Sequence, residues 1–353
     1  MNKLFFELIQ VALHRRDYLS HTPSADEWNI LFNMAKKQTL IGVCFAAIEP
    51  LHYQKQAPPL ELMMKWFGIA EQIRVHNTEM NSQCSELQQR LFTDGIRSCV
   101  LKGQAIAKYY DDYLEPFRQS GDIDIWLDGT HRSIMEYVNS VSPTNTVRWL
   151  HTQMYVFEKT EVEAHFRPSY LECPWYDKSL QRFFDSERES CFSEAKCTDR
   201  FNQVFILAHA FRHFFSEGVG MRQLMDYYFV LKNSQMRTSH SEFAKVMSAT
   251  GMKRFAGAVM WMMQYVFGLE SEYLLCEPDE KSGRFLLDEV MQSGNFGHQD
   301  KRIKHIVSEG EFHRYCRIAV YNFRIVRFSP WIVVCSPIWR LWHWCWRKVK
   351  GYK

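Results

Sequence analysis

Through residue 92 the apolar positions recur at helical spacing. Leu4, Phe5, Leu8, Ile9 and Leu13 share one face of an opening helix, and Trp28, Leu31 and Met34 share one face of a second. Ser24 stands where the second helix needs an N-cap, since its hydroxyl accepts from backbone N–H groups that the first turn leaves unpaired. The stretch from PPLELMMKWF to QRLFTDG predicts a long amphipathic helix that stops at Gly95.

The period then shortens. IRSCVLKG is a brief apolar run ending at Gly103, which reads as a strand entering a turn. QAIAKYYDD resumes helical spacing, DIDIWLD alternates with period two, and RSIMEYVNSV is a helix closed by Pro143. WLHTQMYVFEK and EVEAHFRP read as two further strands, paired as a hairpin. From residue 198 the helical pattern returns in DRFNQVFILAHAFRHFFSEG, GMRQLMDYYFVLKN, HSEFAKVMSATG and MKRFAGAVMWMMQYVFG. The expectation is an α+β protein with a small mixed-sheet core over 93–185. Helical regions over 1–92 and 186–310 flank that core, and a basic, Trp-rich tail follows over 311–353.

Composition narrows the class. With 353 residues, 46% hydrophobic and 24% charged, the chain is expected to be globular, and a net charge of +3 does not point to nucleic acid. The ten cysteines form no C-x-x-C pair, which argues against a zinc ribbon and suits a reducing compartment. Glu7 interrupts the first apolar run and no small-residue cleavage site follows it, so a signal peptide is not expected and the cytoplasm is.

The charge is distributed unevenly. No Asp or Glu follows Glu311, whereas Arg314, Arg317, Arg324, Arg327, Arg340, Arg347, Lys348, Lys350 and Lys353 do. In the segment 329–353, Pro330, Pro337 and Arg340 interrupt any apolar run long enough to span a bilayer. Trp339, Trp342, Trp344 and Trp346 beside basic residues suit either a helix packed on the domain or a peripheral contact with an inner membrane face. The basic residues are too few, and too bare of any binding motif, to favour nucleic acid.

The candidate chemistry lies in GDIDIWL. Residues i and i+2 of a strand point to one face, so Asp122 and Asp124 project together, and two like charges that close are relieved by a divalent cation. Glu163 and His165 share a face in the same way, and pairing of their strand with the first brings in a third carboxylate. Three carboxylates supply the oxygen ligands magnesium prefers. Gly103 permits a phosphate to approach the start of the following helix closely, and Lys102 adds a positive charge there. Arg118 is either a second phosphate ligand or an ion-pair partner for Asp122 or Asp124.

The ordered set VLKGQAIAKYY (100–110), FRQSGDIDIWL (117–127), VEAHFR (162–167), AHAFRHFFSEGVGMRQLMDYYFVL (208–231) and LLDEVMQSGNFG (286–297) carries a resemblance. It resembles the nucleotidyltransferase superfamily that includes DNA polymerase beta, and more narrowly the bacterial uncharacterised nucleotidyltransferase family. The resemblance implies that Gly103 is the motif glycine, Asp122 and Asp124 the metal-binding pair, and Glu163 the third acid. It also implies two magnesium ions, with manganese as a substitute, and transfer of a nucleoside monophosphate from a nucleoside triphosphate to an acceptor. Lys102, Arg118 and His165 are the expected substrate contacts. The superfamily's Gly-Ser after the first strand is Lys102-Gly103-Gln104 here.

Other readings share some of these residues. A catalytically silent module of the same fold would bind a nucleotide or partner; the three retained acids weigh against it and the missing serine weighs for it. A D-x-D glycosyltransferase would need a larger nucleotide-binding domain than these few strands supply. His209 and His213 have the spacing zinc proteases use, but Ala210 stands where the catalytic glutamate belongs. Neither G-x-x-x-x-G-K-[ST] nor G-x-G-x-x-G occurs. Arg222 and Asp226, at i and i+4, are expected to pair on their own helix or, as the resemblance implies, to line the cleft where the helices cover the core.

Overall fold

Ser24 caps its helix as expected, its Oγ accepting from the Glu27 N–H while Glu27 accepts from the Ser24 N–H. In the computed structural model residues 1–294 and 311–352 are described, so the last residues of the 286–297 stretch lie outside the described residues. Helices α1 (Asn2–Ala12), α2 (Ala25–Lys37), α3 (Ile41–Phe45) and α4 (Ile48–Tyr53) lead into α5 (Leu60–Thr93), which ends just before Gly95 with its φ of +75°. Strand β1 (Ser98–Val100), helix α6 (Gln104–Ala107), strand β2 (Ile123–Leu127), helix α7 (His131–Val141) and strands β3 (His151–Gln153) and β4 (Val162–His165) follow. After them come α8 (Pro174–Ser193), α9 (Asp199–Phe214), α10 (Met221–Asn233), α11 (His240–Ala249), α12 (Lys253–Tyr265) and α13 (Glu280–Ser293). Helices α14 (Glu311–Arg324) and α15 (Pro330–Lys350) close the chain.

The four strands form one mixed sheet in the order β1-β2-β4-β3. β2 is antiparallel to β1 and parallel to β4, and β4 is antiparallel to β3. The expected strand pair in the second half of the core is thus present, with its strands shorter than the apolar runs implied.

Alternation along β2 divides the sheet into two unlike faces. Ile123, Ile125 and Leu127, with Val100, Val162 and Ala164, pack against Met80, Leu87 and Leu91 of α5 and Ile134 and Val138 of α7. A fully buried side chain of this kind contributes about 1.5–3 kcal/mol, so this face holds the strands in place. On the other face Trp126 packs on Phe192 of α8 and Phe201 of α9, with ring centroids 4.5 and 5.8 Å apart. The C-terminal helices therefore cover the face from which Asp124 projects.

Two local expectations are corrected. QAIAKYYDD yields only the four-residue α6, because the Tyr109 carbonyl accepts from Asn233 and the Tyr110 hydroxyl turns to Asp226. A helix start this short gives little dipole for a phosphate. The second correction concerns Asp226. It is held by Arg118 rather than forming the pair expected with Arg222, whose Nη1 instead donates to the Gln119 carbonyl at 2.7 Å.

In the tail, α15 continues through Pro337. Trp149 meets Trp342 and Trp346 edge-on at 5.0 and 5.7 Å, and Trp339 stacks on Tyr170 at 4.8 Å. Arg340 pairs with the buried Glu172 at 2.8 Å. Trp339, Trp342 and Trp346 thus meet the domain, although Trp342 stays 43% exposed, and Trp331, Val334, Ile338, Leu341 and Trp344 are exposed as well. No described helix is long and apolar enough to cross a membrane.

Candidate functional site

The parallel register sets Asp124 beside Glu163 and Trp126 beside His165. β3 completes the row, with His151 opposite His165 and Gln153 opposite Glu163. Asp122 immediately precedes β2, at the edge where the sheet meets Lys102 and Gly103. One donor oxygen from each of Asp122, Asp124 and Glu163 lies within 4.8 Å of the others. Asp124 is 1% exposed.

Such a concentration of negative charge needs counter-charge. The Lys102 ammonium supplies part of it, 3.0 Å from Asp124 Oδ2 and 3.5 Å from Asp122 Oδ2. Burial pulls the Lys102 pKa down, but Asp124, Asp122 and Glu163 together outweigh burial and hold it above its ordinary value. His165 Nε2 supplies the rest, 2.8 Å from Asp124 Oδ1 and 3.4 Å from Glu163 Oε2. Burial opposes its protonation, yet the two carboxylates push its pKa up to about 9. Burial likewise raises the Glu163 pKa, but His151 and His165 pull it well below the usual carboxylate range.

Arg118 stands apart from the two aspartates. Its Nε and Nη2 donate to the two Asp226 oxygens at 2.7 and 2.8 Å, and Tyr110 Oη donates to the same carboxylate at 2.8 Å. Neither Asp122 nor Asp124 is its ion-pair partner, and Lys102 fills that place. Asn77 of α5 donates to the carbonyls of Pro116 and Arg118, both at 2.7 Å. Ser120 donates to Gln104, which donates to Asn81. The loop that carries Asp122 is thereby fixed from α5, α6 and α10.

Gly103 takes a φ of +60°, a region costly for residues with a Cβ, and such a Cβ would stand 3.5 Å from the Asp122 carbonyl. Beside it a cavity of about 30 Å³ is lined by Lys102, Gly103, Arg118, Asp122, Arg222 and Asp226, among others. That is room for roughly one water, so a nucleotide would have to lie across its mouth. His209 lines the same cavity; its neighbour His213 stacks on it edge-on at 4.4 Å, and neither belongs to a metal-ligand cluster among the described residues.

A family model described as uncharacterised nucleotidyltransferase matches residues 24–268. The chain belongs to that family. Neither curated proteins nor solved structures gave a match. In this nucleotidyltransferase-family chain the matched region holds every site residue read from the sequence and ends before α13.

The structure brings Lys102, Gly103, Asp122, Asp124, Glu163 and His165 together and turns Arg118 toward Asp226. Sequence reasoning missed His151, whose place beside Glu163 depends on the β3–β4 register. Arg222 and Asp226 both line the cavity beside Gly103, the second of the two places the sequence offered for them.

Proposed function

We propose that the protein is a metal-dependent nucleotidyltransferase related to DNA polymerase beta. It moves a nucleoside monophosphate from a nucleoside triphosphate to an acceptor hydroxyl, in the cytoplasm, and residues 93–185 are its catalytic core. The convergence of Asp122, Asp124 and Glu163 within 4.8 Å, beside Lys102 and Gly103, carries this reading.

The donors suit a divalent cation. They are three carboxylates, and the buried Asp124 Oδ2 already attracts a cation, the Lys102 ammonium at 3.0 Å. Oxygen donors of this kind favour magnesium or manganese, held by Asp122, Asp124 and Glu163. When bound, a pair of such ions neutralises phosphate charge and makes the acceptor hydroxyl easier to deprotonate.

The chain's own groups supply the rest. Lys102 would offer its ammonium to the phosphates if a metal were held at Asp124. Gly103 lets the backbone approach them in place of the missing serine. His165 orients the Asp124 carboxylate, and the Arg118–Asp226 pair keeps the Asp122 loop in position before substrate arrives, so little is spent on reorganisation.

The test is incubation of the protein with each α-labelled nucleoside triphosphate, magnesium and cell extract, with mass spectrometry for an added nucleoside monophosphate. Transfer that is lost in Asp124→Asn supports the reading, and undiminished transfer in that variant overturns it. One observation favours a second reading, a silent module: Lys102 already occupies the cation position at Asp124. A silent module would bind nucleotide and transfer nothing.

A further inference from the structure

The sheet carries more nitrogen than a magnesium site needs. His151 and His165 face each other across the β3–β4 ladder, and Glu163 lies beside both. His151 Nδ1 is 2.7 Å and His165 Nε2 3.4 Å from the same oxygen, Glu163 Oε2. One donor atom from each of the three residues lies within 4.8 Å of the others. Donors held about 2.1 Å from a tetrahedral ion stand roughly 3.4 Å apart, so small side-chain adjustments suffice to enclose one.

A second observation points the same way. His151 Nδ1 is buried, and the polar atom it meets, Glu163 Oε2 at 2.7 Å, is the oxygen that His165 Nε2 also approaches.

We propose that His151 Nδ1, His165 Nε2 and Glu163 form a binding site for a borderline transition-metal ion, of the zinc or cobalt class. The site is distinct from the oxygen-only site at Asp122 and Asp124 and shares Glu163 with it. Two imidazoles and a carboxylate select zinc or cobalt over magnesium, because imidazole nitrogen binds these ions well and magnesium poorly. The two sites therefore differ in preference although they adjoin. The assignment does not depend on nucleotidyl transfer; it needs only these side chains.

The experiment titrates full-length protein with cobalt(II) alone and follows the visible ligand-field spectrum, with zinc affinity measured by competition. The wild-type protein is expected to give the intense bands of a low-coordinate site. His151→Phe is expected to lose them and to weaken zinc binding by at least about tenfold. Asp122→Asn, which leaves the nitrogen donors in place, is expected to keep the bands. His165→Gln serves as the second variant should His151→Phe fail to fold.

Absence of the bands in wild type overturns the proposal, as does their survival in both histidine variants. Neither result touches the transferase reading, which stands or falls on Asp124→Asn and labelled nucleotide. Conversely, a chain that binds cobalt through His151 and transfers no nucleotide would keep this site and lose that reading.

Discussion

The Lys102 ammonium lies 3.0 Å from Asp124 Oδ2, and it is a lysine of the protein itself that neutralises this buried oxygen. A divalent ion at the same oxygen has to displace it, so the lysine and the metal compete.

Lys102→Met tests that competition. Without metal it leaves His165 as the remaining counter-charge of the buried Asp124 and should destabilise the fold by about 1.5–3 kcal/mol. Millimolar magnesium or manganese should then stabilise the variant more than the wild type, because metal supplies the missing charge. Thermal melts of both proteins with and without metal check this. Equal shifts would mean that lysine and metal do not share the oxygen.

Asp124→Asn removes a proposed metal ligand and one of the two carboxylates that His165 contacts. Labelled nucleotide transfer should fall by about a hundredfold or more, since charge stabilisation by metal is worth several kcal/mol. The His165 pKa should fall back from about 9, because the Asp124 partner is the foremost group raising it. Proton NMR of the imidazole, titrated without metal, reads that change.

The Arg118–Asp226 pair is buried, with bidentate geometry, and joins the Asp122 loop to α10. Breaking one side by Asp226→Ala should cost about 3–5 kcal/mol, while the double change Arg118→Met with Asp226→Leu should recover most of it. Urea unfolding of the three variants measures both quantities.

Acid should weaken the fold through α9. Burial, then the Arg212 charge, lowers the His213 pKa from 6.5 to about 4, and burial also lowers that of His209. A base with a depressed folded pKa takes its proton first in the unfolded chain. Its contribution is therefore complete above the unfolded value and is lost as pH falls through the folded one. For His213 the loss is roughly 2 kcal/mol by about pH 5. Urea midpoints near neutrality and near pH 5 should fall less in His213→Gln than in wild type.

Much of the core was legible because its signals are local. Alternation marked Ile123–Leu127, Gly95 marked the end of α5, and Ser24 marked the start of α2. The acids Asp122, Asp124 and Glu163 came from the same two-residue period. Helix α8 escaped notice because polar residues separate Leu180, Phe183, Phe184 and Phe192 too densely for the apolar pattern to stand out. Arg118 and Asp226 lie 108 residues apart, and that pairing comes from tertiary packing with no counterpart in local periodicity. His151 was hidden for a related reason. The connection between β3 and β4 fixes which residue of β3 faces Glu163, and that connection carries no turn signature.

The same separation has a consequence during synthesis. A ribosome delivers Asp122, Asp124 and Glu163 long before it delivers Asp226, so the acidic edge leaves the exit tunnel with its Arg118 loop unfastened. Phe192 and Phe201, which roof Trp126, also emerge after the strands are complete. The apolar side of the sheet can close early, since its α5 and α7 partners are already present. The polar side is finished last, and a nascent chain halted before α10 would carry Asp122, Asp124 and Glu163 on an open, unclamped surface.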